Sequence, residues 1–118
     1  MLLRDILYGV EIQSLTGTTD KVVDELVFDS RKAVKGTAFI AIVGTVADGH
    51  NFIPQAVAAG AEVVLCTTTP AAVAPHVTYV TVKDTSYALG LMAANFYSNH
   101  PASRSQRGLA PVVPALQR

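Results

Sequence analysis

Several residues that could take part in catalysis or ligand binding lie between positions 29 and 50: Asp29, Ser30, Arg31, Asp48 and His50. In a hydrolase triad Ser30 would be the nucleophile, His50 the base, and Asp48 or Asp29 the orienting acid. However, Ser30 lies in Asp-Ser-Arg and not in the Gly-x-Ser-x-Gly turn that usually presents such a serine. The aspartates and the histidine also lack the spacing of a known metal site. The sequence therefore disfavours both interpretations.

A third interpretation is an anion-binding site. Ser30 offers a hydroxyl and a backbone N–H at the end of an extended stretch. Thr45, Val46 and Ala47 offer consecutive backbone N–H groups in a turn bounded by glycines, which is a cradle for a phosphate or diphosphate. Arg31 or the lysine after it could add positive charge. The local residues alone favour a simpler interpretation, in which Ser30 caps a turn and the Asp-Gly pair only shapes a loop.

The apolar pattern predicts the elements that must position these loops. Strands alternate with helices, so we expect an α/β fold with a small, mostly parallel or mixed sheet packed by helices. The serine follows one predicted strand and the glycine-bounded turn follows the next, which directs both loops to the same edge of the sheet. The predicted elements are a short helix over residues 2–9, strands over 22–28, 38–43, 62–66 and 79–82, a helix from Asn51 as N-cap to about Gly60, and a helix from a cap at Asp84, Thr85 or Ser86 to about Tyr97, with Leu89, Met92 and Phe96 facing inward.

Size and composition limit the classes of protein. The chain has 118 residues, of which 50% are apolar and 15% charged, with a formal net charge of zero. A single domain without a basic excess is expected, and binding to nucleic acid is not. Glu62 interrupts the longest apolar run, and Arg4 and Asp5 interrupt the apolar N-terminus, so neither a membrane span nor a signal peptide is predicted. The lone Cys66 excludes an internal disulfide, is expected to be buried, and favours a cytoplasmic location.

The composition changes near the C-terminus. Residues 1–102 are predicted to form the folded domain. From position 103 the sequence contains arginines and prolines but no acidic residue, and it shows no apolar periodicity. Residues 103–118 are therefore predicted to be a disordered tail.

Much of the chain resembles the N-terminal domain of the Mur ligases, the cytoplasmic ATP-dependent amide-bond ligases of peptidoglycan precursor synthesis. The resemblance covers roughly residues 1–104. The motifs that carry it are Phe28-Asp29-Ser30-Arg31-Lys32, Lys35-Gly36-x-x-Phe39-Ile40-Ala41, Gly44-x-x-x-Asp48-Gly49-His50-x-Phe52-Ile53 and Asp84-Thr85-x-x-Ala88-Leu89-x-x-Met92-Ala93-Ala94-x-Phe96-Tyr97.

The resemblance implies that the domain binds the UDP end of a peptidoglycan precursor. Ser30, with Phe28 near it, would contact the uridine portion. The turn formed by Thr45, Val46 and Ala47 would face the diphosphate and the N-acetylmuramoyl sugar. A valine cannot donate a hydrogen bond from its side chain, so any such bond from Val46 must come from its backbone. The resemblance thus favours the anion-binding interpretation over the simpler one.

Within the family, the signature Ala47-Asp48-Gly49-His50 is most similar to the members that add the third peptide residue. Their acceptor would be UDP-N-acetylmuramoyl-L-alanyl-D-glutamate. The ligases that add D-alanyl-D-alanine share the Asp-Ser-Arg and Asp-Gly-His patterns and are the alternative. A further alternative is a domain that binds no substrate and associates with other proteins, or with itself, through an exposed interdomain surface.

The resemblance ends at Arg104, where family members continue into a Gly-Thr-x-Gly-Lys-Thr loop that binds ATP. Here the residues that follow are SQRGLAPVVPALQR. The family implies ATP and Mg²⁺ as cofactors of the full-length enzyme, whose catalytic residues belong to other domains. We therefore expect no cofactor and no catalytic residue in this chain, and we interpret it as a truncated or frameshifted product, or a gene-model fragment, that is inactive in ligation by itself.

Overall fold

The computed structural model describes residues 1–44 and 48–99. The predicted tail, 103–118, lies outside the described residues, as do positions 45–47. Two short 3-10 helices, Ser30–Lys32 and Gly49–Phe52, follow the second and third strands. The helices and strands are α1 (Leu3–Ile6), β1 (Ser14–Thr16), β2 (Glu25–Val27), β3 (Thr37–Ile40), α2 (Ile53–Ala59), β4 (Val63–Cys66), β5 (Thr78–Thr81) and α3 (Thr85–Asn99).

The strands form one five-stranded sheet with the order β1-β5-β4-β3-β2. Strands β2, β3, β4 and β5 are parallel to one another, and β1 is antiparallel to β5. The predicted α/β fold with a mostly parallel or mixed sheet is confirmed. Strand β1 was not among the predicted elements, because its three residues are all exposed and show no apolar alternation. It pairs at the sheet edge through its backbone.

Helices cover both faces of the sheet, which explains the continuous apolar runs of its central strands. In β3, Ala38 and Ile40 pack in the core under α1 and α3, whereas Phe39 packs in the core under α2. Met92 and Phe96 of α3 are buried as predicted. Of the helices in the described residues, none combines the length and the apolar character needed to cross a bilayer.

The start of α2 differs from the prediction. Asn51 was expected to be its N-cap, but the capping side chain is that of Asp48, whose Oδ1 accepts a hydrogen bond of 2.9 Å from the backbone N–H of His50. Capping at Asp48 begins a 3-10 turn that runs directly into α2, so Asn51 lies inside this turn. The prediction was wrong because Asp48 satisfies the free N–H groups one turn earlier. The helix ends at Gly60, as predicted.

Asp84 is the cap of α3 among the three candidates. Its Oδ1 accepts hydrogen bonds from the backbone N–H groups of Ser86, at 2.9 Å, and Tyr87, at 3.1 Å. The lone Cys66 ends β4 and is fully buried, as expected for a small apolar side chain.

Candidate functional site

The loops that follow β2 and β3 leave the sheet at the same edge, because the two strands are parallel neighbours. Between them lies a cleft of about 520 Å³. The cleft brings together the serine predicted from the sequence and both flanks of the glycine-bounded turn. Thr45, Val46 and Ala47 lie outside the described residues. The lining residues used below are Phe28, Ser30, Ile42, Gly49, Phe52 and Gln55.

The wall of the cleft after β2 is a 3-10 turn fixed by Asp29. Its carboxylate accepts the backbone N–H of Arg31 at 3.0 Å and binds the guanidinium of the same residue at 3.0 and 2.8 Å. The hydrogen bond from the Arg31 side chain, followed by that from its backbone, lowers the pKa of Asp29 to about 2. The Arg31 side chain is 88% exposed, but its charge is already paired with this carboxylate.

Two side chains of this loop present groups suited to a ligand. Phe28 lines the cleft, and 66% of this residue is exposed to solvent. The hydroxyl of Ser30 donates a long hydrogen bond, 3.4 Å, to Oε1 of Gln55 in α2. Sequence reasoning missed Gln55. Its position in the first turn of a helix that starts beside the cleft is the signal that could have identified it.

The wall after β3 depends on a close backbone approach at Gly49. Its N–H donates a hydrogen bond of 2.7 Å to the carbonyl of Ile42, and Val43 and Asp48 form an antiparallel bridge. A Cβ atom at Gly49 would lie 2.7 Å from the backbone nitrogen of Ile42 and 2.8 Å from its carbonyl oxygen. Only glycine fits here.

The ring of His50 contacts the residue that follows β4. Its Nδ1 lies 2.7 Å from Oδ1 of Asp48, and its Nε2 accepts the backbone N–H of Thr67 at 2.9 Å. Bonds from the backbone and then the ring of His50 lower the pKa of Asp48. Since the described partner of the Ser30 hydroxyl is Gln55 and both ring nitrogens of His50 are engaged, the Ser–His pair of a hydrolase is not formed.

The described residues do not fit ATP or a metal ion. Within residues 1–44 and 48–99 no group of three His, Cys, Asp or Glu side chains is placed to hold a metal. The sequence has no Gly-x-x-x-x-Gly-Lys-Ser/Thr loop for a nucleoside triphosphate. We therefore derive no chemical step through ATP or Mg²⁺ from these residues.

Comparison with known proteins places these features in a family. Residues 22–97 match the family model described as "Mur ligase family, catalytic domain". A UDP-N-acetylmuramoyl-L-alanyl-D-glutamate–2,6-diaminopimelate ligase from Cytophaga hutchinsonii is 41% identical over 105 residues, which are 88% of this chain and 21% of that protein. The ligase of the same name from Bacteroides fragilis is 40% identical over 104 residues, again 88% and 21%. The chain thus spans about a fifth of the length of these relatives.

Solved structures agree with the sequence matches. A crystal structure of MurF from Acinetobacter baumannii has a TM-score of 0.67 and 27% identity, and the match covers 82% of this chain and 21% of that one. The described fold is therefore that of the N-terminal domain of these enzymes, as expected from the motifs. On the family match, the identity to the relatives and the shared fold, the chain belongs to the Mur ligase family.

Proposed function

We propose that this chain binds the UDP-N-acetylmuramoyl end of a peptidoglycan precursor in the cleft between the loops after β2 and β3. The observation that carries the proposal is the exposed ring of Phe28 beside the hydroxyl of Ser30 at the mouth of this cleft. The names of the curated relatives, which include UDP-N-acetylmuramoyl-L-alanyl-D-glutamate, support the choice of ligand.

The side chains of the loop after β2 suit a uridine. A flat pyrimidine ring stacks on an aromatic face, and Phe28 offers such a face without first having to leave a core. The hydroxyl of Ser30 and the amide of Gln55 can donate to and accept from the base or the ribose. Their mutual hydrogen bond is long, 3.4 Å, so exchanging it for a bond to the ligand costs little.

The diphosphate would be bound by backbone N–H groups of Thr45, Val46 and Ala47. The flanks of this turn are held close together, by the hydrogen bond from Gly49 to Ile42 and by the bridge from Val43 to Asp48. Arg31 is a weaker candidate for the diphosphate, because its guanidinium already binds Asp29 through two hydrogen bonds. Neutral backbone donors can bind a phosphate without breaking an existing ion pair.

The ligand we favour is UDP-N-acetylmuramoyl-L-alanyl-D-glutamate, since the relatives at 41% and 40% identity carry it in their names. The alternative, a precursor for D-alanyl-D-alanine addition, has the support of the solved MurF at 27% identity. The two precursors share the UDP end that the cleft would contact. We therefore expect both to bind this chain with similar affinity, and we propose binding without ligation.

Titration of the ¹⁵N-labelled chain with UDP-N-acetylmuramoyl-L-alanyl-D-glutamate, and separately with UDP, tests the proposal. We expect chemical-shift changes at the amides of Ser30 and Gly49 and at positions 45–47, and weaker binding by Ser30→Ala. Ser14→Ala, at the opposite edge of the sheet, is the matched control and should bind like the wild type. No shift change at millimolar ligand, together with self-association in size exclusion, would favour the alternative of a non-binding interaction domain.

A further inference from the structure

His50 connects two loops at the carboxyl edge of the sheet. The ring lies between Asp48, in its own loop, and Thr67, the first residue after β4. Its side chain is only 17% exposed, although it belongs to a loop. Thr67 contributes its backbone N–H at 2.9 Å and its hydroxyl at 3.1 Å, both to Nε2. The ring is therefore held by the backbone of the residue that directly follows β4.

These contacts determine the tautomer of the ring. A backbone N–H can only donate, so Nε2 must carry a lone pair, and the proton of a neutral imidazole must then be on Nδ1. There it points at Oδ1 of Asp48, 2.7 Å away. The carboxylate is a suitable partner, because the oxygens of an ionised carboxylate only accept hydrogen bonds. Every polar atom of the ring is used in the neutral Nδ1–H form.

The same contacts hold the loop after β3 from its C-terminal side. Gly49 is bonded to Ile42, and the bridge from Val43 to Asp48 joins the two flanks of positions 45–47. Strand β3 fixes the N-terminal flank. The C-terminal flank consists of Asp48 and Gly49. The next residue, His50, holds this flank because it is bonded to Thr67 at the end of β4.

We propose that His50 is a positioning residue of the ligand cleft: as the neutral Nδ1–H tautomer it fixes Asp48 and the cleft-lining Gly49 to the end of β4, so that this wall of the cleft keeps the position that the ligand contacts. This inference rests on the proposed function. It assigns His50 no contact with the ligand, and it differs from the hydrolase interpretation, in which the imidazole would act as a base.

The first test needs no ligand. A long-range ¹H–¹⁵N correlation spectrum of the chain near pH 8 distinguishes the two neutral tautomers of each histidine. We expect His50 to show a protonated Nδ1 and an unprotonated Nε2. His76, which is exposed, is the internal control and should show the mixture typical of a free imidazole. A proton on Nε2 of His50 would overturn the proposal, since the Thr67 bond cannot then form.

The second test separates the two hydrogen bonds by variants. His50→Gln can place an amide oxygen near the position of Nε2 and keep the Thr67 bond, whereas His50→Asn is too short to reach it. We expect His50→Asn to weaken UDP binding about fivefold or more, and His50→Gln to recover most of this loss. His76→Asn, which changes an exposed histidine outside these contacts, is the matched control and should bind within about twofold of the wild type.

The outcomes distinguish this inference from the proposed function. If the wild type binds UDP and His50→Asn binds equally well while remaining folded by circular dichroism, the positioning role is wrong and the proposed function stands. If the wild type does not bind, the proposed function is wrong, and the positioning role falls with it. If His50→Asn fails to fold, the comparison of His50→Gln with the wild type decides: a loss about as large as fivefold would contradict the role of the Thr67 bond.

Discussion

The loops after β2 and β3 have the same local hydrogen-bonding pattern but differ in what the bonded side chain contacts. Asp29 accepts the backbone N–H and a side-chain N–H of Arg31, two residues on, and Asp48 does the same for His50. Each pattern starts a 3-10 turn. The two loops differ in where the second side chain lies: the Arg31 side chain is 88% exposed, whereas the imidazole of His50 reaches the backbone of Thr67.

The comparison assigns different roles to the two loops: the loop after β2 presents side chains to a ligand, and the loop after β3 is fixed to the sheet. The loop after β2 keeps Phe28 and Ser30 accessible, and its ion pair fixes only its own turn. The loop after β3 is bonded back to Ile42, just after its own strand, and to Thr67, just after β4. Changes in the first loop should therefore affect ligand binding at little cost to folding, and changes in the second should affect both.

The largest effect is expected from Gly49→Ala. The new Cβ would lie 2.7 Å from a backbone nitrogen, and a backbone group cannot move aside as a flexible side chain can. We expect the free energy of unfolding to fall by about 3 kcal/mol, measured by urea denaturation. Gly90→Ala is the matched control, because a Cβ at this position in α3 meets nothing within 4 Å. It should be neutral or stabilising by up to about 1 kcal/mol. Equal stability of the two variants would contradict the close approach.

Removing the side chain of His50 should have the next largest effect. His50→Ala leaves the backbone N–H of Thr67 without its described acceptor, and such a loss costs about 1–3 kcal/mol. Arg31→Ala, the counterpart in the other loop, removes an exposed ion pair, which solvent weakens, and should lower the midpoint of urea unfolding much less than His50→Ala does. If both variants lose the same stability, the two loops do not differ as described.

The sequence predicted the position of both loops but not all of the contacts that distinguish them. Two apolar runs followed by Asp-Ser-Arg and Asp-Gly-His place both loops at one edge, because parallel strands end on the same side. The start of α2 was misplaced at Asn51, since both Asp48 and Asn51 are good caps and only the turn geometry selects between them. Gln55 and Thr67 were missed because they meet their partners across sequence gaps of 25 and 17 residues, respectively, so that only the folded chain brings each pair together. The turn at 45–47 stays a prediction.

Phe28→Ala should weaken ligand binding without lowering stability, whereas the changes in the loop after β3 should lower stability. The ring is exposed, so its removal should leave urea unfolding almost unchanged. If it stacks on uracil, the affinity for UDP should fall about tenfold, as measured by calorimetry. Tyr87→Ala, which removes an equally exposed ring from α3, is the control and should change neither quantity. Loss of stability without loss of affinity would contradict the assignment of this loop to recognition.

The smallest effect is expected in the pH dependence of folding stability, to which the carboxylates of Asp29 and Asp48 both contribute. The Arg31 side chain lowers the pKa of Asp29 to about 2, below the value of about 3.9 for an unfolded chain. A lowered pKa in the folded state stabilises it above about pH 4, and this contribution is lost as the pH falls toward 2. The pKa of Asp48 is lowered too, so its contribution has the same sign.

Asp29→Asn should therefore flatten the decline of the urea midpoint between about pH 5 and pH 2.5, while Asp5→Asn, which removes an exposed carboxylate from α1, should leave its slope as in the wild type. Asp48→Asn should also flatten the decline and should lower the midpoint at neutral pH more than Asp29→Asn does, because the Asp48 carboxylate holds both the 3-10 turn and the ring that reaches the end of β4. If the two variants have the same midpoint at pH 7, His50 transmits nothing from Asp48 to the sheet, and the two loops are equivalent in their support of the fold.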